Sequence, residues 1–265
     1  MPGADIDLRA LIAAVSDAAD RALTLWAGGR TTVRQWEKVP GHPVSEADLE
    51  IDDMLRRSLG AIDPAAGWLS EETADTVHRL DLERVWVVDP IDGTRDYLRG
   101  RPGWSVSVAL VEHGAVRIGI LAAPARNELW VAELGKGATR NGRALRAGAR
   151  IHLPGARVPA DQLPRHDRDL SAVEKPNSIA LRMAMVAADE ADLVATVRWG
   201  NEWDIAAAAL IAQEAGAVVT DALGDALSFN RPQPTAFGLL CTAPGIHDAA
   251  VERLAPRARE LLGRE

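Results

Sequence analysis

Across residues 7–26 apolar side chains recur every three or four positions, with Leu8, Leu11, Ile12, Val15, Ala19, Ala22 and Leu23 near one face. That spacing predicts an amphipathic helix, stopped by Gly28-Gly29. A polar stretch, residues 30–42, follows. Ser45-Glu46-Ala47-Asp48 then opens a second predicted helix. Ser45 is the expected N-cap, Asp48 stands three residues on in a near-capping-box pattern, and Leu49, Leu55, Leu59 and Ile62 supply apolar contacts.

In the middle of the chain the helical period gives way to strand-like runs. Val85-Trp86-Val87-Val88 is a short apolar run ending abruptly at Asp89-Pro90. Residues 104–111, 116–122 and 128–132 are β-rich, with His113-Gly114 and residues 124–127 as turns, which predicts an antiparallel meander. Gly135-Lys136-Gly137 and Asn141-Gly142 mark a further turn region. Residues 151–177, rich in Pro, Arg and Asp, read as a connector with room for one strand. Residues 178–188 and 204–215 are expected helices, 217–220 and 238–242 short strands, and 247–262 a terminal helix. This order indicates a layered α/β architecture in two halves, 1–145 with the acidic motifs and 146–265 completing the site.

Composition narrows the possibilities. At 265 residues, with 47% hydrophobic and 26% charged residues, the chain is ordinary for a soluble globular protein. No run of about 18 apolar residues is present, so no membrane span is expected. Asp5, Asp7, Asp17 and Asp20 make the N-terminus wrong for a signal peptide. The single cysteine, Cys241, excludes an intramolecular disulfide, and a reducing cytoplasm is the expected compartment. A net charge of −8 argues against a nucleic-acid partner, which needs many Lys and Arg contacts. A small anionic substrate stays compatible, because an acidic site attracts phosphate once divalent cations fill it.

The informative segment is Asp89-Pro90-Ile91-Asp92-Gly93-Thr94. An apolar strand delivers two carboxylates across a turn in which Pro90 fixes φ and Gly93 relaxes it. Hard divalent cations prefer such oxygens, and a backbone carbonyl in the turn adds another ligand. Gly93 and Thr94 offer N–H groups and a hydroxyl, the parts from which phosphate cradles are made. Two further acidic segments stand apart from it. Alone, the Glu71-Glu72 pair reads as solvated surface, and Asp204 in Glu202-Trp203-Asp204 reads as a helix cap.

Together these segments resemble the inositol monophosphatase superfamily. Residues 85–94 resemble its first signature, and Trp203-Asp204-Ile205-Ala206-Ala207-Ala208 with Glu214-Ala215-Gly216-Ala217 resembles its second. Ser70-Glu71-Glu72, Pro43-Val44-Ser45-Glu46-Ala47-Asp48 and Gly135-Lys136-Gly137-Ala138 with Asn141-Gly142 are similar to shorter family motifs. The likeness runs over about residues 8–255. It departs at His42, where an acid is common and only a peripheral contact is affected, and at Ser45, where threonine is usual but the hydroxyl is kept. The resemblance implies the layered αβαβα sugar-phosphatase fold and a Mg²⁺-dependent phosphomonoesterase using two metals, with a third allowed by the acid count.

Its implied metal ligands are Glu71, Asp89, the Ile91 carbonyl, Asp92 and Asp204. Substrate would lie against Glu71, Ile91, Asp92, Gly93, Thr94, Ser178 and Asp204, although Ser178 also suits a helix cap. Asp48, paired with the Thr94 hydroxyl, would orient or deprotonate the nucleophilic water. An aspartyl-nucleophile phosphatase is a poorer match, because its acids are separated by one residue and here Pro90 and Ile91 intervene. A non-catalytic binding protein retaining the fold is the rival of another class. Leu69-Ser70-Glu71-Glu72 and Glu202-Trp203-Asp204 are most like the bacterial 3′(2′),5′-bisphosphate nucleotidase branch (CysQ), with inositol monophosphatase as runner-up. For Lys175 and Arg198 the two readings are a contact to a second phosphate and a surface salt bridge, and for Trp199 a stack on a base or, more often for a tryptophan, packing. Relatives of this kind are commonly homodimers.

Overall fold

The computed structural model describes residues 6–26, 29, 31, 33–39 and 42–263. Helix α1 (Leu8–Leu25) is capped by Asp7, and Leu11, Val15, Ala18, Ala19 and Ala22 form its buried stripe. Its expected stop at Gly28 lies outside the described residues. Part of the polar stretch is a hairpin, β1 (Gln35–Val39) antiparallel to β2 (His42–Ser45). Strand β1 is exposed from Gln35 to Lys38, with Trp36 43% exposed, and β2 buries, among its described side chains, only Val44 and Ser45 next to α2, so the hairpin carries too short an apolar pattern to read from the sequence. Helix α2 (Glu46–Ile62) starts after Ser45, as the capping-box spacing requires.

A seven-stranded sheet follows. Its spatial order is β3 (Gly67–Ser70), β4 (Arg84–Asp92), β5 (Ser105–Glu112), β6 (Ala115–Ala123), β7 (Glu128–Glu133), β8 (Gly137–Arg140) and β9 (Arg143–Ala144). β3 runs parallel to β4; the remaining pairs are antiparallel, giving the expected meander. Both faces are covered, which is why β4 reads as a continuous apolar run. Trp86 and Val88 join the cluster under α1 and α2. After the short α3 (Thr94–Leu98), which follows β4, two longer helices, α4 (Ile179–Ala187) and α5 (Glu202–Glu214), face Val85 and Val87.

Beyond these helices lies a three-stranded antiparallel sheet, ordered β12 (Leu193–Asn201), β14 (Thr235–Thr242), β13 (Val218–Thr220), with α6 (His247–Leu262) packed on it. The layers are therefore α, β, α, β, α, as expected. The connector holds two short strands rather than one, β10 (Arg157–Pro159) parallel to β11 (Ser171–Val173). β12 has no counterpart in the sequence reading: its pairing slips between Thr196 and Trp199, and such an irregularity breaks the period-two alternation.

Helix α5 is sandwiched between the sheets, with Ala206, Ala207, Ala208, Ala209 and Ala212 all buried. A helix apolar all round belongs in such a place. Its small residues admit a close approach: a Cβ at Gly119 on β6 would stand 2.6 Å from the Ala207 carbonyl oxygen. Gly119→Val should therefore destabilise the protein by about 1–3 kcal/mol, the usual range for overpacking. The check is urea unfolding against wild type, and an unchanged midpoint would contradict this packing.

Candidate metal and phosphate site

The acids singled out in the sequence sit at the ends of elements, and those ends converge. Glu71 follows β3, Asp89 and Asp92 close β4, Asp48 lies in the first turn of α2 and Asp204 in the first turn of α5. β4 continues through Asp92 instead of breaking at Asp89. Its pairing with β5 slips between those two residues, and both line one cavity. One carboxylate oxygen from each of Glu71, Asp89 and Asp204 lies within 4.8 Å of the others.

Burial raises these acids, and each raises its neighbours. Burial pushes Glu71 up to about 7; Lys38 opposes the rise, and Glu72 and Asp92 add to it. Asp204 is pushed up to about 8 by burial, then by Asp92 and Glu71. Asp89, 2% exposed, stands well above the ordinary carboxylate range for the same reasons. Lys38 on β1 supplies a cation beside the two glutamates, with Nζ 2.6 Å from a Glu72 oxygen and donating to the Glu71 carbonyl at 3.1 Å. A buried, all-oxygen set of repelling carboxylates fits hard divalent cations such as Mg²⁺.

Asp92 is held differently. Its carboxylate accepts from the Ser178 hydroxyl at 2.5 Å and from the Ala180 and Ile179 N–H groups at 2.8 and 3.3 Å. Ser178 is also the α4 cap, accepting from the Leu181 N–H at 2.9 Å. Its one proton is thus directed at Asp92. Gly93 next door has φ +94°, and a Cβ there would lie 2.7 Å from the Gly103 carbonyl oxygen, so the turn requires glycine.

Asp48 divides its two oxygens. Oδ2 accepts from the Ser45 N–H at 2.8 Å and the Ser45 hydroxyl at 2.6 Å. Oδ1 faces the Thr94 hydroxyl at 3.3 Å, which also lies 3.1 Å from the Ile91 carbonyl oxygen. Burial pushes Asp48 up to about 6, opposed by the Ser45 donors.

The cavity, about 440 Å³, is also lined by Arg95, Arg182, Arg198, Trp199, Asn177 and Asn201. Trp199 is 48% exposed and meets Phe237 edge-on, with centroids 5.4 Å apart. Lys175 is not among the lining residues; it pairs with Asp161 at 2.6 Å. Arg182 went unremarked in the sequence, although a single charge within the apolar run of α4 is the signal that would have found it. Its Nε donates to the Pro176 carbonyl at 2.8 Å. Glu202 turns away from the cavity: its two oxygens accept from the Asn230 and Arg231 N–H groups at 2.6 and 3.0 Å.

The chain belongs to the inositol monophosphatase family, whose sequence profile matches residues 7–261. It is 36% identical over 201 residues to an inositol-1-monophosphatase of Mesorhizobium japonicum, covering 69% of this chain and 74% of that protein. It is 34% identical to the fructose-1,6-bisphosphatase/inositol-1-monophosphatase of Thermotoga maritima, covering 83% of this chain and 86% of the relative. A solved Thermotoga maritima IMPase superposes with a TM-score of 0.81 at 29% identity, covering 96% of this chain and 98% of that one. The family is metal-dependent, and the acidic cluster is what that dependence requires.

The raised acids have a consequence for stability. Unfolded carboxylates titrate near 4, as a rough reference. Folded and metal-free, Asp48, Glu71 and Asp204 keep their protons to about 6, 7 and 8. The folded state then binds more protons than the unfolded one, so their contribution is full below about pH 4 and is lost as pH rises towards about 8. In EDTA, Tm should be lower at about pH 8 than at about pH 5.5, and the rise produced by Mg²⁺ should be larger at the higher pH. A Tm in EDTA that climbs over this interval would contradict the assignment.

Proposed function

We propose that this family member is a Mg²⁺-dependent phosphomonoesterase that converts 3′-phosphoadenosine 5′-phosphate to AMP and phosphate. The observation that carries the reading is the lining of the cavity. Beside the acidic cluster stand Arg95, Arg182 and Arg198 with the exposed ring of Trp199, while Glu202 is committed elsewhere. A polyol offers such a lining neither negative charge nor a flat ring. A nucleoside bisphosphate offers both: guanidinium groups pair with phosphate oxygens, and an indole stacks on a base.

Glu71, Asp89, Asp92, Asp204 and the Ile91 carbonyl would hold two cations, with a third allowed. Bound cations supply positive charge against the phosphate and the leaving oxygen and acidify water. The chain's own residues do the rest. Gly93 and Thr94 donate N–H groups to the phosphate, the Thr94 hydroxyl orients the attacking water, and Asp48 takes its proton. As the water oxygen bonds to phosphorus, the ester P–O bond breaks in line, the departing oxygen takes a proton from solvent, and no phosphoenzyme forms. With Asp48 pushed up to about 6, its carboxylate is suited to proton transfer near neutral pH. The small phosphorylated substrate, absence of a nucleic-acid partner and cytoplasmic setting follow from the same reading.

Inositol-1-phosphate hydrolysis is the second reading, favoured by the name of the Mesorhizobium japonicum relative. The ratio of kcat/KM for 3′-phosphoadenosine 5′-phosphate and inositol 1-phosphate separates the two. The nucleotide should win clearly, and preference for the inositol ester would overturn the choice. Asp89→Asn should abolish Mg²⁺-dependent hydrolysis of both. Arg198→Ala should cost the nucleotide roughly 10–100-fold in kcat/KM, the equivalent of one charged hydrogen bond, and spare inositol phosphate.

A further inference from the structure

Two charged side chains that the proposed chemistry does not use, Arg79 and Glu202, are each only 1% exposed. Burial on that scale is costly unless every polar atom is satisfied, so their partners matter. The Arg79 guanidinium pairs with both oxygens of Asp75 at 2.7 and 2.8 Å. It also donates to the Asn230 side-chain oxygen at 2.5 Å and to the Arg231 carbonyl at 2.8 Å. Glu202 grips the same two residues through their N–H groups. The 230–231 turn, with Asn230 at φ +59°, is thus held from two directions by opposite charges.

This turn joins parts of the site that are far apart in sequence. Asp75 and Arg79 belong to the segment that follows Glu71. Glu202 lies two residues before Asp204, and its own N–H donates to the Pro234 carbonyl at 2.9 Å. The same turn leads into β14, where Ala236, Gly238 and Leu239 line the cavity and Phe237 carries Trp199.

We propose that Asp75, Arg79, Asn230, Arg231 and Glu202 form a buried clamp that sets the spacing between Glu71 and Asp204, making Arg79 and Glu202 positioning residues for cation binding. This rests on the metal-dependent reading of the site. Supporting groups behind metal ligands typically govern affinity by 10–100-fold, roughly. A purely structural clamp would lower stability without changing the cation concentration at which the protein responds.

The test is thermal unfolding of the whole protein over a MgCl₂ titration, with no substrate present. Wild type must gain Tm with Mg²⁺; if it does not, the metal reading itself fails, before the clamp is judged. Glu202→Gln keeps the shape but sets an amide N–H₂ against backbone donors. Its Mg²⁺ midpoint should rise roughly 10-fold. Asn230→Gly keeps the left-handed backbone and both N–H groups while removing only the side-chain contact to Arg79, so folding is expected to survive. Its midpoint should rise a few-fold, and this variant decides the matter if Glu202→Gln does not fold. A wild-type midpoint in Asn230→Gly, whatever its baseline Tm, overturns the proposal.

Discussion

Everything in this structure depends on keeping like-charged carboxylates together out of water. At about 4 Å and an effective dielectric of about 20, two unit charges repel by about 4 kcal/mol, and this cluster holds several such pairs. Left to themselves the side chains would swing apart or stay protonated. Without a cation they take the second course, which is why Asp204 and Glu71 keep protons into the neutral range. The fold forbids the first, because each acid is anchored at the end of an element that packs a face into the core.

The anchoring uses helix starts. Asp48 and Asp204 are both the third residue of a capping box, accepting from the cap-residue N–H with one oxygen. For Asp48 that leaves the other oxygen aimed at Thr94. Asp92 is gripped by the start of α4 through Ser178, Ile179 and Ala180. Backbone N–H groups that no helix can satisfy internally thus fix the orientation of functional carboxylates. One set of hydrogen bonds serves the local fold and the site together. The Ala-rich body of α5 then fixes where its first turn stands, because Gly119 lets the helix press against the sheet.

That double use explains what was legible in the sequence. Helix starts carry short-range signals, so Ser45 to Asp48, Ser178 and the Trp203-Asp204 head were readable, as were the strands of the meander with their regular apolar runs. The β1–β2 hairpin and β12 were not. The first exposes Gln35 to Lys38 and buries, among its described side chains, only Val44 and Ser45, and the second has a slipped register that destroys alternation. The acids were found by motif, but their mutual distance was not, since nothing local to Glu71 says that Asp204 will lie beside it. For Lys175 the sequence left two readings open, and the ion pair with Asp161 takes the surface one: nearness along the chain does not place a cation in the site.

Glu202 shows why nearness along a helix misleads. Successive residues turn by about 100°, so positions 202 and 204 face nearly opposite sides of α5. An acid two residues before Asp204 therefore cannot share its site, whatever its charge suggests. Turned the other way, Glu202 needs buried donors and finds them at residues 230 and 231. Its departure leaves the cavity lined by Arg182, Arg198 and Trp199, with no acid among the described lining residues beyond the cluster itself. Among the described residues, negative charge on the cavity wall is thus confined to Glu71, Asp89, Asp92 and Asp204, and the rest of the charged lining is guanidinium.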